Sequence, residues 1–156
     1  MKLLDKLGIA FLLVGVATLS LQAQEKKIKR EQLPPAVEKA VAAEENKGAT
    51  VKGFSTEIEK GQKLYEAELT ENGHGRDVSM DAKGNVVEIE EEVSLDSLPA
   101  TVKDGLTKAA GTGSITKVES LTKGDKLVAY EAVVKNGSKR SEVQVGPDGK
   151  KLAHKE

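Results

Sequence analysis

The chain has 156 residues, a formal net charge of −1 and no cysteine. Thiol nucleophiles, CxxC redox chemistry, thiolate metal sites and disulfide scaffolds are excluded at once. Aromatic residues make up only 3% of the chain, so Ala, Val, Leu and Ile must build the core.

Met1-Lys2 and Lys6 supply positive charge, Leu7 to Leu21 is almost wholly apolar, and Ala23 precedes the charged run Glu25-Lys26-Lys27. A basic start, an apolar run shorter than the ~20 residues of a membrane span and a small residue at its end predict a signal peptide over 1–23. Export to the periplasm or out of the cell follows, with no stable membrane span once the leader is cut. Residues 24–32 carry Lys26, Lys27, Lys29 and Arg30 and little apolar content, which predicts a flexible lead-in. Four charges without an aromatic beside them read as a solvated tail, and no nucleic-acid partner is expected.

The remainder is a unit that occurs twice. Leu33-Pro34, Val37, Tyr65-Glu66-Ala67, Val78 and Gly84 return 65 residues later as Leu98-Pro99, Val102, Tyr130-Glu131-Ala132, Val143 and Gly149. These separated anchors in one register predict a tandem duplication, 33–97 and 98–156. The copies differ in charge: the first has 15 acidic and 7 basic residues, the second 7 and 11. Opposite charge on similar folds suggests surfaces turned toward different contacts.

Each unit opens with proline in a first helical turn, where its missing N–H has no partner to lose. Leu33, Val37, Ala40 and Val41 make one helical stripe, stopped near Gly48. Leu98, Val102, Leu106 and Ala109 or Ala110 make the other, capped by Asp96 or Ser97 and stopped by Gly111 and Gly113. Gly105 inside this second helix should weaken it by ~1 kcal/mol relative to Ala.

Strand patterns follow. Val51 to Ile58 predicts a strand with a bulge near Gly53, and Ile115 to Leu121 its counterpart. Tyr65, Ala67 and Leu69 alternate with polar residues, as do Val128, Tyr130, Ala132 and Val134. Asn72-Gly73 and Asn136-Gly137 are hairpin turns, because both residue types accept positive φ. The first sets Tyr65 opposite Met80, the second Tyr130 opposite Val143. These registers differ by two residues, so one loop should be longer than a simple turn. Val86 to Val93 and a short Lys150 to His154 complete the pattern. The predicted class is α+β: two tandem repeats, each one helix packed on a four-stranded antiparallel sheet, with the short link 94–97 expected to join them into an eight-stranded surface.

A Leu-Pro-x-x-Val helix start, a strand carrying Tyr-Glu-Ala, an Asn-Gly turn and a closing Asp-x-x-Gly or Pro-Asp-Gly turn resemble the PepSY domain. Two such units behind a leader resemble the bacterial PepSY-like proteins grouped with β-lactamase-inhibitor-like folds. The resemblance implies a secreted or periplasmic binding module, with inhibition of a peptidase or other hydrolase as the activity. It also implies contact through a concave sheet face, which the lactamase inhibitors of this kind line with aromatics and brace with disulfides. This chain has neither feature.

Strand parity places Glu66, Glu68, Asp77, Ser79, Glu88 and Glu90 on the face away from the first helix. Carboxylates on three neighbouring strands repel unless partnered, so they suggest a dock for a basic protein segment or a weak Ca²⁺ site. Solvation alone is the competing explanation of such a charged face. In the second copy, Glu131 and Val133 lie on the corresponding face and complete the predicted partner-binding set. His74 and His154 have no convergent partners, and no EF-hand loop, GxGxxG, P-loop, nucleophile elbow or His-Glu-x-x-His helix occurs. The expectation is a non-enzymatic protein-binding module with no cofactor. The alternative is a periplasmic cation or small-ligand sensor using the acidic face of the first copy.

Overall fold

A computed structural model describes residues 25–156; the leader expected at 1–23 lies outside the described residues. Eight strands run in sequence order through one antiparallel sheet: β1 (Lys26–Ile28), β2 (Thr50–Glu59), β3 (Gln62–Glu71), β4 (His74–Met80), β5 (Val86–Glu92), β6 (Ser114–Lys123), β7 (Lys126–Asn136) and β8 (Lys139–Val145). Helices α1 (Pro35–Asn46) and α2 (Ala100–Ala110) lie on one face. Among the described residues, no helix is long and apolar enough to cross a membrane.

This corrects the expectation of two four-stranded sheets, each with its own helix. The protein is mostly β, one pairing merges the halves, and both edges of the sheet differ from expectation. Five residue pairs, Glu88↔Lys123 through Glu92↔Glu119, join β5 to β6. At the first edge, Lys26–Ile28 pairs with Phe54–Thr56, so part of the supposed flexible lead-in is a strand. At the far edge, the strand expected over 150–154 is reduced to a single bridge, Val145↔Lys151. Ile28 packs on the core, and Arg30 spans from the lead-in to Glu38 and Glu45 of α1 at 2.8 and 2.6 Å. Those contacts compensate for the segment's low apolar content.

Both helices start as the prolines predict, but Pro34 and Pro99 themselves occupy the N-cap positions. Asp96 instead pairs with Lys103, and Ser97 donates its hydroxyl to the Ser94 carbonyl. The apolar stripes make two adjoining cores. Val37 and Val41 of α1 sit on Phe54, Ala67, Leu69, Val78 and Met80, and Val102 and Leu106 of α2 sit on Val118, Ala132 and Val145. Each such aliphatic side chain taken fully from water contributes ~1.5–3 kcal/mol. Tyr65 and Tyr130 are half-buried at the margins of these cores.

The bulge near Gly53 is present, between Val51 and Gly53, and recurs between Ile115 and Lys117. The first hairpin turns at Asn72-Gly73, with φ of 51° and 85°, and sets Tyr65 opposite Met80 as expected. In the second, Asn136 pairs with Lys139, so the turn is Gly137-Ser138 and Tyr130 faces Val145 rather than Val143. Neither loop is longer. Moving the turn by one residue restores the register of the first hairpin and keeps Ala132 opposite Val143 over the core, so packing outranks the Asn-Gly preference.

Candidate functional site: an acidic face at the seam of the sheet

The face away from the helices is curled. Lys123 on β6 reaches Glu59 on β2 at 3.4 Å, although three strands separate them in the sheet order. In a flat sheet those strands would stand ~19 Å apart. Curling crowds side chains that alternation alone would leave in water. Leu64, Leu121, Ala129 and Val133 are buried on this side without help from either helix.

The carboxylates predicted from parity converge here. Asp77 and Glu90 are direct cross-strand partners on β4 and β5, and Glu66 pairs with Ser79 and Ser55. Carboxylate oxygens of Asp77, Glu90 and Glu119 all lie within 4.8 Å of one another, as do those of Glu25, Glu66 and Glu68. Glu88 is tied to Lys123 at 3.1 Å with its side chain 16% exposed. Glu131 accepts a hydrogen bond from Gln144 at 2.8 Å at one end of the cluster. Val133 lies against Lys117 on β6 and is only 6% exposed, so it supports the face from beneath.

Two lysines and one hydroxyl temper the repulsion at the seam. Lys117 bonds Glu119 at 2.5 Å, and Lys123 holds Glu88 and Glu59. Ser55 donates to Glu66 at 3.4 Å. These partners do not suffice. Burial, with Glu119, Glu88, Glu131 and Glu66 adding repulsion, pushes the Glu90 carboxyl up to about 8. Burial and the charges of Asp77, Glu25, Glu57 and Glu68 push Glu66 up to about 7. Asp77 rises to about 6, through burial and neighbouring carboxylates that outweigh Lys117. The face therefore holds protons near neutral pH that an open carboxylate would have released. A cation arriving there displaces protons as it binds.

Parity missed Glu119, Lys117 and Lys123, although Lys117, Glu119 and Leu121 alternate with Val118 and Ser120 along β6 and so share its outer face. The missing signal was the β5–β6 pairing, which sets this face beside Glu90.

The architecture is a curled antiparallel sheet backed by two helices, with an acidic face on the side away from them. A model of the family described as "Putative beta-lactamase-inhibitor-like, PepSY-like" matches residues 19–88 and again 63–150, and the chain belongs to that family. Among solved structures it is similar to one described as "putative periplasmic proteins" from Bacteroides eggerthii: 18% identity over 77% of this chain and 86% of that one, TM-score 0.61. A DUF2874 family protein of Bacteroides ovatus matches at 19% identity over 77% and 84%, TM-score 0.57. A BLIP-like protein of Bacteroides fragilis matches at 23% over 77% and 83%, TM-score 0.54. These likenesses establish the shared fold. No curated protein matches the sequence.

Proposed function

We propose that the protein is an exported, non-enzymatic binding module that docks a basic segment of a periplasmic or secreted protein on its curled acidic face. The observation that carries this is the crowding of Glu66, Asp77, Glu90, Glu119 and Glu131 on five adjoining strands, β3 to β7, with Lys117, Lys123 and Lys155 set among them. An incoming Lys or Arg side chain relieves that repulsion, and the relief is a binding free energy available to cations alone. The leader pattern at 1–23 supports export, as does the description of the Bacteroides eggerthii relative.

The family description supports inhibition of a hydrolase as the outcome of docking. A peptidase or another hydrolase with a basic rim suits this face better than a target that needs aromatic anchors. Phe54, Tyr65 and Tyr130 all belong to the helix-side cores, leaving the acidic face without an aromatic hot spot. Reversing charge at Glu66, Glu68 and Glu90 together is expected to abolish capture of a partner from envelope extract. Undiminished capture would show that the face is not the dock.

A second reading, a cation site, is favoured by the two carboxylate triads Glu25–Glu66–Glu68 and Asp77–Glu90–Glu119. Oxygen-only ligands of this kind suit Ca²⁺. A ligand that binds the native state must raise the melting temperature. A melt unchanged at millimolar Ca²⁺ removes this reading and leaves protein docking intact.

A further inference from the structure

The far edge of the sheet offers a second surface, distinct from the acidic face. In the first half, β4 is covered by β5, starting from Met80↔Val86 and continuing through Ser79↔Glu88, Val78↔Ile89, Asp77↔Glu90 and Arg76↔Glu91. In the second half, the bridge Val145↔Lys151 repeats the first of these pairs 65 residues on, and the pairing stops there. The opening bond is also repeated: Gly146 N–H donates to the Lys150 carbonyl at 2.8 Å, as Asp81 does to Asn85 at 3.0 Å. Residues 152–156 then leave the edge, and Glu156 N–H bonds the Gln144 side chain instead of the β8 backbone.

Backbone groups alternate in direction along an antiparallel strand. Since Gly146 points outward, so do the amides and carbonyls of Gln144, Glu142 and Arg140, while Val145, Val143 and Ser141 bond toward β7. Beyond the Val145↔Lys151 bridge, that outward row has no strand against it among the described residues. The side chains tell the same story. Val78 under β5 is 1% exposed, whereas its counterpart Val143 is only partly buried. His154 stands at the position of Ile89, and burying an imidazole over the core costs what burying Ile gains.

Between α2, β8 and residues 149–155 lies a groove of about 890 Å³ with Val143, Val145 and Ala109 in its wall. Lys108, Lys150, Lys151, Lys155 and His154 line it with one carboxylate, Glu142. Asp148 holds Lys150 at 3.0 Å, and Glu131 and Glu142 hold Lys155 at 3.8 and 3.7 Å, so among the described residues the charge of Lys108 and Lys151 is the part left for a ligand. The strand that covers the equivalent edge in the first half, Val86–Glu92, carries four glutamates around Ile89. A second copy is a poor occupant, because β1, the other edge strand among the described residues, presents Lys26 and Lys27 to this basic surface.

We propose that the outer edge of β8 accepts an extended acidic segment of another protein as a ninth strand. An aliphatic side chain of the segment enters the groove beside α2. Main-chain bonds supply affinity, and the lysines and the groove supply selection.

The test uses a fluorescent peptide of residues 85–93 of this chain as probe, titrated with the full protein in an anisotropy assay. Saturable one-to-one binding is expected, weakened by added salt. Glu142→Pro removes one outward amide while leaving the bonds to β7, a substitution that edge strands tolerate. It should weaken binding about tenfold or more, with circular dichroism unchanged. The same loss is expected with wild-type protein and a peptide N-methylated along its pairing edge, which decides the matter if the proline variant fails to fold. Lys108→Glu and a peptide carrying Asp in place of Ile89 should each bind less. No saturation up to ~1 mM, or equal binding by the blocked and unblocked forms, overturns the proposal. A dimer in sedimentation velocity that Glu142→Pro dissolves would give the edge to a second copy and overturn it equally.

Discussion

Glu90→Gln is expected to stabilise the protein at alkaline pH and leave it unchanged in acid. The carboxyl stands at about 8 in the folded protein against 4.5 for an unperturbed glutamate. A raised acid is bound more tightly to its proton when folded, so folding loses stability as pH climbs from 4.5 toward 8, and the penalty is complete above that. Each pH unit is equivalent to about 1.4 kcal/mol, so an isolated group would cost ~5 kcal/mol. Glu90 is not isolated, because Glu66 and Asp77 share its repulsion and the cluster redistributes protons when one member is removed. With that sharing and residual solvent access, ~2 kcal/mol is the gain expected from the uncharged amide above pH 8. At pH 5 the native glutamate is already protonated, and Gln matches it in shape and charge. Urea unfolding of both proteins at pH 5 and pH 8.5 reads the difference. The variant's midpoint should rise by ~1 M at the higher pH and stay level at the lower. An equal change at both values, or a less stable variant at pH 8.5, would refute the account of a crowded acidic face.

Gly105→Ala should destabilise by ~2 kcal/mol, where helix propensity alone forecasts a gain of ~1. A β-carbon there would fall well inside contact with the Gly149 carbonyl, so a higher melting temperature for the variant would contradict that close approach. Arg76→Met should cost ~3 kcal/mol in urea unfolding at pH 7, because Arg76 and Glu44 are each only 14% exposed and tie β4 to α1. The Glu44 carboxyl is desolvated, which alone would raise it, but Lys47 and Arg76 outweigh burial and hold it below its ordinary value. The loss should therefore shrink as pH falls through that range; a loss independent of pH between 7 and 3 would mean packing, not charge, joins the helix to the sheet.

What could be read from the sequence was whatever depends on near neighbours. Period-two alternation placed Tyr65, Ala67 and Val78 toward the helices and Glu66, Asp77 and Glu90 away from them, because parity needs only a strand. Asn72-Gly73 supplied a correct register for the same reason. At Asn136-Gly137 the same local rule erred by one residue, since the core beneath Ala132 and Val145 sets the register there. Composition marked residues 24–32 as free chain, yet Arg30 finds Glu38 and Glu45 on the next helix and Ile28 finds the core. Most remote of all was the β5–β6 pairing, which spans the whole of α2. The short link 94–97 pointed to a joined eight-stranded surface, but no local pattern says which strands meet or in what register.

That pairing also makes the site. Asp77 and Glu90 come from the acidic half and Glu119 from the basic half, and only a continuous sheet brings them within 4.8 Å. Two separate sheets would leave Glu90 on an outer edge, solvated and unremarkable in its ionisation. The charge difference between the halves then acquires a physical role. The second half contributes the lysines, Lys117 and Lys123, that hold the seam together against its own carboxylates. They neutralise enough charge to let the strands pair and still leave the Glu66, Asp77 and Glu90 carboxyls raised above their ordinary values. Replacing Lys117 with methionine should accordingly weaken the fold and raise the face's preference for a basic ligand together. A mutation that moved stability alone would separate the seam from the dock.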